Sequence, residues 1–181
     1  SFFNSLGVQV TVIEMLDEIL GGMDKELSAL LRAEYAKRGI KFMLSTKVVS
    51  LAEASSEDGK PQVQVNFENA EGTGSVLAEK LLMSVGRRPV TKGFGLENLE
   101  LKRTERGNIC TNEQMQASAP GVYICGDLTG YSLLAHTAVR EAEVAVHTIL
   151  GKKDVMSYWA IPGVVYTNPE IAGVGQTEES L

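Results

Sequence analysis

Residues 8–13 form a run rich in valine, isoleucine and threonine that begins directly after a glycine, Gly7, and leads toward a stretch patterned as a helix. A β-branched run behind a glycine stop reads as a strand leaving a helix. Asp24 then offers a carboxylate to cap a helix in which Leu27, Leu30, Leu31 and Tyr35 recur at helical spacing, and Gly39 supplies a left-handed stop. Residues 40–44 read as the next strand. Two strands joined through a helix run parallel, because the crossover returns the chain to the same end of the sheet. The chain is therefore an α/β fold with a parallel sheet.

From residue 46 to 85 the periodicity changes to that of strands. Val48-Val49-Ser50-Leu51, then Val63, Val65 and Phe67 alternating with polar residues, then Val76 through Val85 predict three strands of an antiparallel meander. Asp58-Gly59 and Asn69-Ala70-Glu71-Gly72-Thr73-Gly74 provide the turns. The end of the third strand, Leu81-Leu82-Met83-Ser84-Val85, is almost continuously apolar and is expected to be buried on both faces before Gly86-Arg87-Arg88-Pro89 stops it. Residues 91–107 read as a connection outside either core. Beyond them Gly121-Val122-Tyr123-Ile124-Cys125-Gly126-Asp127 predicts a buried strand ending in a tight turn. A helix over 133–150 follows, with Ala135, Ala138, Val139, Ala142, Val146 and Ile149 on its inner face and Gly151 closing it. Val164-Val165-Tyr166 and Ile171-Ala172-Gly173-Val174 read as strands on either side of Asn168-Pro169.

A hydrophobic share of 44% over 181 residues is enough for a sizeable core. The net charge of -6 is spread along the chain, which argues against a nucleic-acid partner. The apolar runs are too short to cross a bilayer and no basic leader precedes one, so a cytoplasmic location without membrane contact is expected. Neither Cys110 nor Cys125 lies in a Cys-x-x-Cys pattern. No metal site or dithiol is expected from them; both should be reduced, with Cys125 buried. The chain opens on what reads as the last turns of a helix, and closes after the good N-cap Thr177 on what reads as the first turn of another. It is expected to be a piece of a longer protein.

Four places carry candidate chemistry. Asp127 follows a strand and a glycine, where a carboxylate can accept from the hydroxyls of a ligand beyond the sheet, or can serve the turn itself. Next to it Leu133, Leu134, Ala135 and His136 open a helix, where unpaired N–H groups and the positive end of the macrodipole favour a negatively charged ligand; taken alone, His136 reads as a structural residue. Glu14, at the end of the first strand, can bind a ribose diol and repel a phosphate there, or can simply be an exposed acid. Gly86 either lets the backbone meet a ligand or closes a strand-end turn.

Taken in order, Val10-Thr11-Val12-Ile13-Glu14, Val85-Gly86-Arg87-Arg88-Pro89, Val122-Tyr123-Ile124-Cys125-Gly126-Asp127, Leu134-Ala135-His136, Val165-Tyr166-Thr167-Asn168-Pro169-Glu170 and Gly173-Val174-Gly175-Gln176-Thr177-Glu178 closely resemble the pyridine nucleotide-disulfide oxidoreductases, flavoproteins with two dinucleotide-binding domains. The resemblance implies FAD and NAD as cofactors. It implies that residues 1–91 are part of an NAD-binding domain, 92–154 the carboxyl-terminal part of an FAD-binding domain, and 155–181 the start of an α+β interface domain that makes a homodimer. By the same resemblance Glu14 would bind the NAD ribose, Val48 touch the adenine, Gly86 meet the nicotinamide, Asp127 bind the flavin ribitol, and Leu133, Leu134, Ala135 and His136 lie against the flavin ring. Glu14 and the Tyr-Thr-Asn-Pro-Glu segment look most like the branch that oxidises dihydrolipoamide. That branch would imply a lipoyl-bearing partner from a 2-oxoacid dehydrogenase or glycine cleavage complex. Glutathione or mercuric reduction, and a non-catalytic nucleotide-binding module, are the rival readings. The family's redox-active cysteine pair, its phosphate-binding glycine turns and its catalytic histidine–glutamate pair are not among these residues, so no residue here is cast as catalytic and the chain alone is expected to be inactive.

Overall fold

The computed structural model describes all residues, Ser1–Leu181. They form two compact units, one of Ser1–Met83 with Pro162–Leu181 and the other of Ser84–Ile161.

The first unit starts with a single turn, α1 (Phe2–Ser5), followed by β1 (Thr11–Ile13), α2 (Lys25–Lys37) and β2 (Lys41–Met43). β1 and β2 are parallel, with Thr11 opposite Lys41 and Ile13 opposite Met43, as the strand–helix–strand pattern requires. β1 is shorter than residues 8–13, because the Val8 N–H turns back to the Phe3 carbonyl and pairing with the second strand begins only at Val10, whose carbonyl accepts from Lys41. Asp24 caps α2, its carboxylate accepting the Glu26 N–H at 2.9 Å. The helix buries Leu31 and Tyr35 against Ile40 and Ile171, with Val10, Val12, Leu27 and Phe42 packed around them. Burial on that scale stabilises by about 1.5–3 kcal/mol per large side chain. Leu30 is 49% exposed: one residue along a helix turns about 100°, which carries it off the stripe that Leu27, Leu31 and Tyr35 define.

The meander is present as β3 (Lys47–Ser55), β4 (Pro61–Asn69) and β5 (Gly72–Ala78), antiparallel and in that order. Asn69 stands opposite Gly72, so only Ala70 and Glu71 make the turn, and the Asn69 side chain accepts the Glu71 N–H. Gly72-Thr73-Gly74, expected in the turn, belong to β5. Gly74 is needed there because the Phe67 ring lies across it: a Cβ on Gly74 would stand 2.6 Å from Phe67 Cζ.

Two expectations fail at the end of the meander. β5 stops at Ala78, and Leu81-Leu82-Met83-Ser84-Val85 joins none of the three sheets. The segment is exposed rather than buried, Leu82 at 75% and Val85 at 87%. A strand this apolar needs neighbours on both edges and cover on both faces. No element of this chain supplies either. The remaining part of the unit is a hairpin, β6 (Gly163–Val165) and β7 (Ile171–Gly173), around a cis Asn168-Pro169 bond. Thr177 leads into a single 3-10 turn, Glu178–Ser180, instead of an α-helical one.

The second unit is mostly irregular, tied by single bridges between Arg103 and Ile109, Thr111 and Ala117, and Gln116 and Tyr123. The expected strand at 122–125 is an extended segment whose one ladder position, Tyr123, pairs with the turn before it, and the Ile124 N–H goes to the Met115 carbonyl. Ile124 is buried, whereas Cys125 is exposed, against expectation, because the segment has no second strand to cover that side. Residues 91–107 are not a bare connection: Leu96 and Leu101 pack with Ile109 and Ile124. A second cluster gathers Met115, Val144, Ala145 and Met156.

The helix α3 (Ala135–Ile149) is where expected, but it is turned the other way. Thr137, Glu141, Val144 and Ala145 are its buried residues, while Val139, Val146 and Ile149 are exposed. Both faces carry enough small or apolar residues to pack. The face that wins is the one whose glutamate finds hydrogen-bond donors inside. No helix of the chain is long and apolar enough to cross a membrane.

Candidate functional site

Glu14 continues the parallel ladder past β1. Its N–H donates to the Met43 carbonyl and its own carbonyl accepts from Thr46, both at 2.9 Å, so the residue is fixed at the carboxyl end of the pair, where open α/β sheets bind ligands. One carboxylate oxygen accepts the Leu16 N–H at 2.9 Å, and the side chain stays half-buried. The loop that follows is held to α2. Arg32 donates to both oxygens of Glu18 at 2.8 and 2.9 Å, and Lys25 pairs with Asp17 at 2.7 Å. The Arg32 hydrogen bond keeps the Glu18 carboxyl below the usual carboxylate range. Val48 lies near the start of β3, opposite Phe67, exposed and beside a register shift in the ladder.

In the second unit, Gly126 turns the chain at the end of the 122–125 segment with φ +72°, and Gly126–Leu128 form a 3-10 turn. Asp127 is exposed on this turn. Its carbonyl accepts from Asn108, and no group of the chain holds its carboxylate. The turn packs on the first turns of α3: a Cβ on Gly126 would stand 3.4 Å from Ala138 Cβ. Leu134 is the N-cap of α3 in extended conformation, with no side-chain cap and no acid in the first turn. Asp127 and the α3 opening, with Leu133, Leu134, Ala135 and His136 on its exposed side, are thus brought together. Gly86 has φ +103° and nothing within 4 Å of where its Cβ would be, so its backbone is open.

The donor set fits both cofactors that the resemblance implies. A carboxylate without a protein partner, beside a helix N-terminus without a cap, suits a ligand bearing hydroxyls and developing negative charge. The half-engaged Glu14 carboxylate suits a ribose diol.

Sequence reading missed the groups behind the Gly126 turn. Glu141 is wholly buried and accepts the Gly126 N–H at 2.5 Å, the Tyr158 hydroxyl at 2.7 Å and the Thr129 hydroxyl at 3.4 Å. Burial and then the Glu141 hydrogen bond hold the Tyr158 phenol well above its usual range. Partial burial, and then the nearby Glu141, push the Cys125 thiol up from its usual range. Further along α3, Arg140 and His147 both grip Asp154, at 2.6 and 2.7 Å. Arg140 first, then His147, hold its carboxyl far below the usual range. The only local signal for Glu141 was its spacing of four from Thr137 on a helix; its donors lie far along the chain in either direction.

A parallel βαβ unit with an acid at its tip, and a glycine–aspartate turn against a helix N-terminus, mark a dinucleotide-binding flavoprotein class. The family model described as pyridine nucleotide-disulphide oxidoreductase matches residues 1–142, and the chain belongs to that family. It is 44% identical over 179 residues to a dihydrolipoyl dehydrogenase of Thermus scotoductus, covering 98% of this chain and 38% of that protein. A dihydrolipoyl dehydrogenase 3 of Pseudomonas aeruginosa is 40% identical over all of this chain and 38% of its own length. Among solved structures, LpdA from Mycobacterium tuberculosis superposes with a TM-score of 0.86 at 27% identity, over 98% of this chain and 37% of that one. The chain thus spans well under half the length of the relatives it matches.

Proposed function

We propose that the whole protein oxidises protein-bound dihydrolipoyl groups to lipoyl groups with NAD as acceptor, and that these residues supply cofactor contacts and scaffold. The observation that carries this reading is the match over 98% or more of this chain to proteins named dihydrolipoyl dehydrogenase. FAD, when bound, would pass the electron pair from the dithiol to the nicotinamide. Residues 1–91 then belong to the NAD-binding domain, 92–154 to the FAD-binding domain and 155–181 to an interface domain that makes a homodimer, with a lipoyl-bearing protein as partner.

The roles proposed for the chain's own residues are those the family resemblance implies, and their positions are compatible with them. Glu14 would accept from the adenosine ribose hydroxyls and repel a phosphate at that position, with Val48 against the adenine. The open backbone at Gly86 would admit the nicotinamide side. Asp127 would accept from the ribitol hydroxyls, and the dipole of α3, through Leu133, Leu134, Ala135 and His136, would favour negative charge on the ring.

The test is a purified full-length enzyme mixed with dihydrolipoamide and NAD. NADH formation, together with a shift of preference toward NADP in Glu14→Arg, is the expected result. Turnover confined to glutathione or mercuric ion would replace the substrate, and an unaltered nucleotide preference in Glu14→Arg would remove Glu14 from the site.

A further inference from the structure

We infer that Glu141 is the positioning residue of the flavin-contacting turn: from inside the second unit its carboxylate fixes Gly126 in its left-handed conformation and so sets where Asp127 stands. The inference rests on the reading of Asp127 as a flavin contact.

Glu141 is 0% exposed, and a buried carboxylate is costly unless it is satisfied. No cation satisfies it here; the ion pairs of α3 run through Arg140 to Glu143 and Asp154 instead. Its partners are three neutral donors from two places: the Gly126 backbone and Thr129 on one turn, and Tyr158 beyond the helix. The one proton of the Thr129 hydroxyl is shared between Glu141 and the nearer Gly126 carbonyl, at 3.0 Å, so both backbone groups of that glycine meet this cluster. The Tyr158 ring lies 4.9 Å from that of Tyr131, which ties the loop between the turn and α3 to the same point. Packing alone would be served as well or better by an apolar side chain. What only an acceptor can do is hold the Gly126 N–H, and with it the direction in which the next residue leaves the turn.

The test uses the full-length protein stripped of flavin and titrated with FAD. Glu141→Met keeps the volume and removes the acceptor. Glu141→Gln keeps an oxygen for Gly126, while the Thr129 and Tyr158 hydroxyls can turn to accept from its amide. Glu141→Met should bind FAD about tenfold or more weakly, with an altered flavin absorption spectrum and unchanged far-ultraviolet circular dichroism of the apoprotein. Glu141→Gln should stay within about threefold of wild type. The inference is overturned if Glu141→Met matches wild type in affinity and spectrum, or if Glu141→Gln fails as badly, or if the losses only follow general unfolding. Should Glu141→Met not fold, Tyr158→Phe decides: binding weakened about threefold beside a near-normal Glu141→Gln supports the role, and wild-type binding in both overturns it. Asp127→Ala separates the two readings. If it weakens FAD binding while Glu141→Met does not, the positioning role alone falls. If wild type takes up no FAD, or Asp127→Ala binds normally, the flavin reading falls and takes the positioning role with it.

Discussion

The helices α2 and α3 have similar lengths and both carry apolar residues at helical spacing, yet they are used in opposite ways. α2 buries two large side chains, Leu31 and Tyr35, with the small Ser28, and turns its charged residues outward. α3 buries Thr137 and Glu141 with the small Ala145 and Val144, and leaves Val139, Val146 and Ile149 in the open. α2 also has a side-chain cap, Asp24, whereas α3 has none. The difference separates two jobs. A helix that only closes a core follows its hydrophobic stripe and caps its own N-terminus. α3 is instead held through polar contacts with the Gly126 turn, and its N-cap residue Leu134 makes no side-chain cap.

The contrast can be broken at several points. Leu31→Ala should cost about 2–5 kcal/mol in denaturant unfolding, because it empties the centre of the α2 core; a loss below about 1 kcal/mol would mean that α2 does not anchor its unit as described. Leu134→Ser would give α3 the cap that α2 already has. Its extended backbone suits the role, and stability should rise by about 1 kcal/mol while FAD retention falls, since the new hydroxyl competes for N–H groups proposed to face the flavin. A gain in stability with undiminished flavin binding would show that the uncapped end is not reserved. The smallest effect is expected for Val139→Ser with Val146→Ser in the 181-residue chain, within about 0.5 kcal/mol in thermal unfolding because these side chains already face water. A larger loss would show the outer face of α3 to be covered.

The same contrast explains how much of the molecule could be read in advance. β1, α2, β2 and the meander were legible because each is specified by its own residues: alternation, a cap, a glycine stop, short turns. The Asp127 turn and the opening of α3 were found for the same local reason. The orientation of α3 was not, since it depends on Glu141 meeting donors at Gly126 and Tyr158, which no period in the sequence encodes. Leu81-Leu82-Met83-Ser84-Val85 misled in the other direction. Its apolar pattern led to an expectation of burial, but burial takes partners, and no strand of this chain pairs with the segment.

Asn168 returns to α2, its N–H meeting the Tyr35 hydroxyl across 133 positions of sequence, and Ile171 fills the same core. Leu31, Tyr35 and Ile40 are therefore made before their partner Ile171 and wait for it while all of Ser84–Ile161 is translated. During synthesis the unit built on α2 stays incomplete until β6 and β7 arrive, whereas Ser84–Ile161 is continuous in sequence and is completed without waiting for a later segment.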